Sequence, residues 1–486
     1  MICLVLNKLT LEEDISLIKE HRPFVDIVEL RIDYLNSADA LQAASFPDMT
    51  DLPVILTCRR ADDGGQYRDS EKARLALLER ALDGNFAYVD IEEDVKRSVC
   101  VTKAQQKGMQ VIRSFHDFRQ VPDDLVHRMV QIARKGSIPK AAVMPTSIQD
   151  VKRLFEASRE LNSIEKKILL GMGPYGLPTR ILYKKLHSLL TFTSSDETAP
   201  GHIGAREMKE TYRADSVDDR THIYGIIGNP VAHTKSPLIH NPGFDGIKYN
   251  AVYVPFQVDS VRTFFALAEM LPIYGFSVTV PHKQAVLPYL GKVSREVKQI
   301  GSCNTVVRKK NLWAGTNTDY YGFITPLITP LQRDLIRNVL VVGAGGAARS
   351  CVWALRNHGC RVTIVNRDVQ KAEKLAQLTM SSFDSLERAG LYADVDAVIQ
   401  TTTVGMGELE GIDPIPDFPF SEHHHVYELI YAPRYTAMLA RAVQAGSSIY
   451  YGLDMLIAQG KLQFESFTGY HYPKRLPVTL VDEEDT

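Results

Sequence analysis

The chain has no long apolar run. Nowhere does one reach the roughly 18 to 20 residues that a membrane-crossing helix requires. It has no surplus of one charge either: 56 Lys and Arg stand against 58 Asp and Glu, a formal net charge of −2. No basic stripe is visible, which excludes nucleic acid as the main partner, because phosphate binding needs clustered cations. Cysteine is sparse, six in 486 residues: Cys3, Cys58, Cys100, Cys303, Cys351 and Cys360. No two form a C-x-x-C pair, so a disulfide framework or zinc ribbon is excluded and buried, reduced thiols are expected. There is no short-period repeat and no low-complexity tract. The opening run MICLVLNKL lacks a basic leader and a small-residue cleavage site. It reads as a first strand, and the expected location is the cytoplasm.

What is present is an ordinary globular composition, 45% apolar and 23% charged, over a length suited to roughly three compact units. From Met1 to about Gly201, eight short apolar runs alternate with longer amphipathic segments. They are MICLVL (from Met1), FVDIVELR (Phe24), PVILTC (Pro53), FAYVDIE (Phe86), MQVIRS (Met109), KAAVMP (Lys140), KILLGM (Lys167) and SLLTFT (Ser188). Strands alternating with helices imply a parallel sheet, and eight such units predict a compact (β/α)8 barrel over residues 1–209. The polar stretch ETYRADSVDDRTH, residues 210–222, reads as a linker without core residues. A second βα pattern runs from Ile223 to about Pro330, and a third, residues 331–451, contains NVLVVGAGGAARS. Together these predict two further α/β lobes, the later one of Rossmann type. The final helical stretch, from Gly452, follows the last strand of the third unit, and the chain ends in the acidic tail VDEEDT.

In a parallel barrel, function gathers at the C-terminal strand ends. Glu29 and Arg31 close the second run, Arg59 and Arg60 follow the third, and Asp90 and Glu92 end the fourth. His116 follows the fifth, Arg180 the seventh and APGH the eighth. Several arginines at one mouth suggest a carboxylate substrate, which the guanidinium fork matches. Lys140 opens an apolar strand, so its amine should enter the barrel, where desolvation favours the nucleophilic form. A buried lysine near a histidine suits imine formation with a ketone and proton removal from the neighbouring carbon. Singly, each of these residues also reads as a loop, edge or cap residue.

Taken together, VELRID, TCRRADDGG, VDIEE, SFHDF, IPKAAVMP, GMGPYGLPTR and APG resemble type I 3-dehydroquinate dehydratases across the whole segment. The resemblance implies that Lys140 forms the Schiff base and His116 is the general acid and base. It implies that Glu29, Arg31, Arg59 and Arg180 hold the substrate, that Met172 and Phe192 wall its ring, and that Thr198 and His202 add contacts. Two positions depart from that pattern. Asp63 stands where a glutamate usually orients the histidine, and His202 stands where glutamine is usual.

In the third unit VVGAGGAAR places Gly343, Ala344, Gly345, Gly346 and Ala347 between a strand and a helix, the context a pyrophosphate-binding turn needs. The next strand ends in VTIVNRD, with Asn366 and Arg367 where an NAD enzyme would carry an acidic residue, and Lys371 one turn on. Cations there favour a 2′-phosphate, hence NADP, while Asp368 keeps NAD open. The second unit carries Thr234 and Ser236, then Ser277 and Lys283 in FSVTVPHK, Asn304, Asn317 and Asp319. A Lys–Asp pair beside amides could pass a proton to a carbonyl that receives hydride.

These motifs, with ELIYAPRYTAML and GLDMLIAQ, resemble shikimate dehydrogenases from about His222 onward. The resemblance implies a two-lobed α/β dehydrogenase, with residues 223–330 and 452–486 forming the substrate lobe and residues 331–451 the Rossmann-type NADP lobe, and with Lys283 and Asp319 as the catalytic pair. Thr234, Ser236, Ser277, Asn304, Tyr431 and Gln459 would line the substrate site. NADP would lie on the glycine turn, Asn366, Arg367 and Lys371, with Thr402, Met406 and Gly452 near the nicotinamide. Ser277 stands where asparagine is common and Thr234 where serine is usual. The run His423–His425 reads as a solvated loop and not a metal site, because three adjacent residues cannot converge on one ion. The combined expectation is a two-step enzyme on small-molecule substrates, with NADP(H) and no metal. Its rivals are a quinate dehydrogenase using NAD and a metabolite-sensing regulator without turnover.

Overall fold

The computed structural model describes residues 1–95, 99–194, 203–231 and 234–474. The chain forms two compact units: Met1–Ile223 with Pro230–Thr234 and Asn250–Pro272, and Tyr224–Asn229 with Lys235–Tyr249 and Ile273–Thr486.

The first unit holds eight strands: β1 (Ile2–Leu6), β2 (Ile27–Arg31), β3 (Val54–Thr57), β4 (Tyr88–Glu92), β5 (Gln110–Asp117), β6 (Ile138–Val143), β7 (Ile168–Gly171) and β8 (Thr191–Thr193). Each coincides with one predicted run. All pair in parallel in the order β7-β6-β5-β4-β3-β2-β1-β8, so the sheet curls into a nearly closed barrel. The open seam lies between β7 and β8. There the Leu189 amide donates to the Lys167 carbonyl at 2.7 Å. The inner residues Cys3, Ile27, Ile55, Ile112, Ile138, Ile168 and Phe192 form the barrel core. Outside, helix periodicity is plain: Leu125, Met129 and Ile132 are the buried positions of Leu125–Arg134.

Two boundaries shift chemistry. β5 continues through Asp117, so His116 lies within the strand and not after it. β6 begins at Ile138, so Lys140 is its third residue and stands well inside the barrel. The stretch read as a linker is also more than a tether. Tyr212, Ala214 and Val217 in it are buried, and Lys184 Nζ donates to the Asp215 carbonyl at 2.5 Å. Polar composition concealed these anchors because they are single residues without a period.

The second half of the chain starts with β9 (His222–Gly228) and β10 (Ala251–Gln257). Then come β11 (Ile273–Val278), β12 (Lys292–Val293), β13 (Thr305–Lys309) and β14 (Leu312–Thr316). β11, β13, β14 and β12 are adjacent in that order, and β13 and β14 form an antiparallel hairpin. β15 (Asn338–Val342), β16 (Arg361–Asn366), β17 (Ser382–Ser385), β18 (Ala397–Gln400), β19 (His425–Glu428) and β20 (Ser448–Tyr451) form a parallel sheet. Its order is β17-β16-β15-β18-β19-β20. Counted within the lobe, that is the doubly wound order of dinucleotide-binding folds, with the switch point beside β15. Apolar clusters cover both faces, around Val341, Ile364 and Ile399 on one and Leu340, Val398 and Val426 on the other.

Candidate active sites

The barrel interior is charged where a core would normally be apolar. Register sets Glu92 beside Ser114 and Ser114 beside Lys140 on adjacent strands. Lys140 is 4% exposed, and its Nζ donates to Asp90 Oδ2 at 2.7 Å, with Glu29 Oε1 at 3.5 Å. Its ammonium lies 4.1 Å from the centre of the Phe192 ring, a cation–π distance. Burial therefore does not leave this ammonium bare, and two carboxylates meet it. Arg59 completes the cluster: Nη2 pairs with Asp90 at 2.9 Å, and Nη1 donates to Glu92 at 2.9 Å and to Ser114 Oγ at 2.8 Å. Burial opposes the charge of Asp90, but Arg59 and Lys140 outweigh it and hold the carboxyl far below the usual range.

His116 is half-buried, and desolvation lowers its pKa to about 4, with the charges of Arg59 and Lys140 acting in the same direction. Its Nδ1 stands 3.7 Å from Asp63 Oδ1, beyond hydrogen-bond reach. Arg31 grips Asp33 bidentately at 2.9 and 2.7 Å. Arg180 donates to two carbonyls, Gly171 at 3.1 Å and Phe192 at 3.2 Å, and so clasps the β7–β8 seam. Met172 directly precedes the helix Gly173–Ile181 and packs on the barrel core. Thr198 and His202, with APG, lie outside the described residues.

Sequence reasoning missed Asp33, which also accepts from the Arg59 and Gln66 amides, and Ser114. The VELRID motif contained Asp33, but its partners come from another loop. Among the described residues no group of three or more His, Cys, Asp or Glu could hold a metal ion.

In the second unit Lys283 Nζ donates to Asp319 Oδ2 at 2.5 Å. Asn304 Nδ2 donates to the other carboxylate oxygen at 2.8 Å and to Thr318 Oγ1 at 2.9 Å. Gln459 Oε1 lies 3.4 Å from both Asn304 Nδ2 and Thr318 Oγ1. Ser277 Oγ donates to Gln463 Oε1 at 2.8 Å, and Gln463 donates to the Asn304 carbonyl at 3.1 Å. Thr318 and Gln463 were not anticipated. Their signal was helix and loop position next to Gln459 and Asp319, which is faint without the fold. Thr234 and Ser236 stand in the loop before the helix Pro237–Gly246. Tyr431 is largely buried, which raises its pKa, and the Lys235 amide donates to it.

The glycine turn follows β15. Gly343 has φ +113, and a Cβ there would meet Thr401 Oγ1 at 2.5 Å and Thr402 Cγ2 at 2.9 Å, so only glycine fits. The next helix, Gly346–Asn357, opens on Gly346, whose Cβ position is 3.4 Å from Lys283 Cδ. The phosphate turn and the lysine of the Lys–Asp pair are thus in contact. Asn366 ends β16, Arg367 is exposed, and Asp368 caps the helix Val369–Thr379 while pairing with Lys371 at 3.5 Å. Thr402 is half-buried, and Met406 is 42% exposed on the loop after β18. Gly452 opens the last helix, where a Cβ would strike the Leu429 carbonyl at 2.3 Å. Of the histidine run only His423 is solvated: His424 is buried and bonds Ser421 and the Ala393 carbonyl, and His425 begins β19.

A barrel with a lysine inside it, joined to a doubly wound fold with a Lys–Asp pair at its glycine turn, defines a lyase–dehydrogenase fusion. Residues 2–219 match the type I 3-dehydroquinase family model, 226–306 the shikimate dehydrogenase substrate-binding domain, and 331–405 the shikimate/quinate 5-dehydrogenase model. The chain is 31% identical, over 94% of its length and 80% of the relative, to the chloroplastic bifunctional 3-dehydroquinate dehydratase/shikimate dehydrogenase of Arabidopsis thaliana. It is 37% identical, over 53% of its length and 95% of the relative, to the shikimate dehydrogenase (NADP(+)) of Caldanaerobacter subterraneus. The crystal structure of shikimate dehydrogenase from Aquifex aeolicus matches at TM-score 0.50 and 32% identity, covering 53% of this chain and 96% of that one. The chain belongs to the family of bifunctional 3-dehydroquinate dehydratase/shikimate dehydrogenases, and it is both a lyase and an oxidoreductase.

Proposed function

We propose that the barrel dehydrates 3-dehydroquinate through an imine on Lys140 and that the second half reduces the product, 3-dehydroshikimate, with NADPH. Lys140 gives up its ammonium proton to water and attacks the ketone carbon. Water leaves that carbon as the C=N bond forms. His116, neutral at physiological pH, takes the proton from C2, and the electron pair moves into the imine. The C1 hydroxyl then leaves with that proton. Hydrolysis of the imine frees the enone and restores Lys140. Arg180 has no carboxylate partner among the described residues, and burial lowers its pKa to about 10, so the substrate carboxylate is its natural counter-ion.

In the second half NADPH, when bound, supplies a hydride to the ketone. Lys283, held by Asp319, protonates the developing alkoxide. Asn304, Gln459, Ser277, Ser236, Thr234 and Tyr431 orient the ring hydroxyls and carboxylate. Gly343, Ala344, Gly345, Gly346 and Ala347 would cradle the pyrophosphate, Arg367 with Asn366 and Lys371 the 2′-phosphate. Asp368 is spent on capping its helix and pairing with Lys371, which favours NADP over NAD. The contact between the glycine turn and Lys283 carries this reading, because it joins cofactor site and proton donor. The domain limits 1–209, 223–330 with 452–486, and 331–451, and a cytoplasmic location, belong to the same proposal.

The test is a coupled assay: absorbance of NADPH should fall when 3-dehydroquinate is added to the chain alone. Turnover of quinate with NAD in preference to shikimate with NADP would reject it, as would metabolite binding without turnover.

A further inference from the structure

His116 Nδ1 is buried and has no hydrogen-bond partner among the described residues. The nearest carboxylate oxygen, Asp63 Oδ1, is 3.7 Å away, and something keeps it there. Asp63 Oδ2 accepts from Arg60 Nε, and Arg60 Nη2 donates to Asp94 Oδ2 at 2.7 Å. The backbone fixes the same turn: the Asp63 and Gly65 amides donate to the Arg60 carbonyl at 3.1 and 2.9 Å. From the other side Phe118 braces it, stacked on His116 at 6.2 Å between centroids and touching Gly64, where a Cβ would lie 2.5 Å from its ring.

We infer that Arg60 is a positioning residue for the dehydration: by holding the Asp63 carboxylate off His116 Nδ1, it sets the basicity of the imidazole and leaves that nitrogen free. This rests on reading His116 as the proton carrier. A carboxylate at hydrogen-bond distance from Nδ1–H would stabilise the imidazolium through a charge-assisted bond. Here one oxygen is neutralised by Arg60 and the other falls short. The remaining groups facing the ring are the cations Arg59 and Lys140 and the carboxylate Asp90. Burial and the cations prevail, so the ring stays unprotonated into the acid range and is ready to accept the substrate proton.

The test uses the full-length chain with isotope-labelled histidine. In Arg60→Gln the NMR titration midpoint of His116 should rise by about one pH unit or more, as Asp63 is released. The acid limb of kcat/KM for dehydration should move with it, while reduction of 3-dehydroshikimate is unchanged, which shows the fold intact. In Arg60→Gln combined with Asp63→Asn the shift should vanish. A shift of equal size in both backgrounds, or none in either, overturns the inference. Should Arg60→Gln fail to fold, Asp63→Glu serves instead. Its extra methylene should reach Nδ1 and raise the midpoint, and an unmoved midpoint is again fatal. Full dehydration by His116→Gln would reject the role of His116 and leave the titration result standing.

Discussion

Arg31, Arg59 and Arg180 are separated by their partners. Arg31 is locked to Asp33, and Arg59 to Asp90 and Glu92, so both are neutralised before substrate arrives. Among the described residues Arg180 meets only carbonyl oxygens. A charged hydrogen bond to a carboxylate is worth roughly 1.5–3 kcal/mol, so Arg180→Ala should raise the KM for 3-dehydroquinate by roughly ten- to a hundredfold. Steady-state dehydration assays measure this, and an unchanged KM would place the carboxylate elsewhere. Lys140 is set apart by its burial and its aim at Asp90. Borohydride added with substrate should therefore trap one adduct, on Lys140, visible by peptide mass mapping. A trap on any other lysine would reject the imine.

At the scale of elements, the eight barrel strands and the glycine turn were legible because each is a short apolar run bounded by a helical period or by glycines. The charged floor of the barrel was not, since Lys140 and Asp90 are 50 residues apart and only barrel register joins them. His116 and Lys140 were misplaced by one or two residues for an ordinary reason: strand ends are fixed by ladder pairing, which sequence pattern does not record. The linker misled in the opposite direction, its few buried residues hidden among charges. Strand ends also carry two predictions. Arg367, exposed at the end of β16, should matter for the 2′-phosphate alone. Arg367→Ala should raise the KM for NADPH by roughly tenfold or more and leave that for NADH nearly unchanged, and equal effects would remove that role. Glu428, at the end of β19, is fully buried, accepts from the Ile430 amide at 3.2 Å and Thr436 Oγ1 at 3.0 Å, and has its pKa raised by burial to about 7. Its folded pKa exceeds its unfolded one, so the stability it confers is complete below about pH 4.5 and is lost as pH rises through 7. Glu428→Gln should match the parent in Tm near about pH 5 and exceed it near about pH 8, by up to roughly 3 kcal/mol of stability. Calorimetry at the two pH values decides, and parallel curves would refute it.

At the scale of the whole molecule, the two halves carry separate candidate sites, yet the boundary between them in sequence is not a boundary in packing. The segment Asn250–Pro272 belongs to the first compact unit, where Asp259 accepts from the Ile148 amide at 3.0 Å and Arg159 donates to the Met270 carbonyl at 2.5 Å. Cutting the chain in residues 210–222 would strip that segment from the barrel helices, so truncation confounds function with stability. Point variants avoid the problem. Lys140→Ala should abolish dehydration and leave 3-dehydroshikimate reduction intact, because the dehydrogenase uses no atom of the barrel lysine. Lys283→Ala should do the reverse, lowering reduction by roughly a hundred- to ten-thousandfold through loss of the proton donor. A mixture of the two variants then asks whether fusion matters for flux. If NADPH loss from 3-dehydroquinate proceeds in the mixture with the same lag as in the parent at equal active-site concentration, the intermediate travels through solvent. A longer lag would show that fusion shortens its path. Loss of reductase activity in folded Lys140→Ala would show that the two chemistries are coupled.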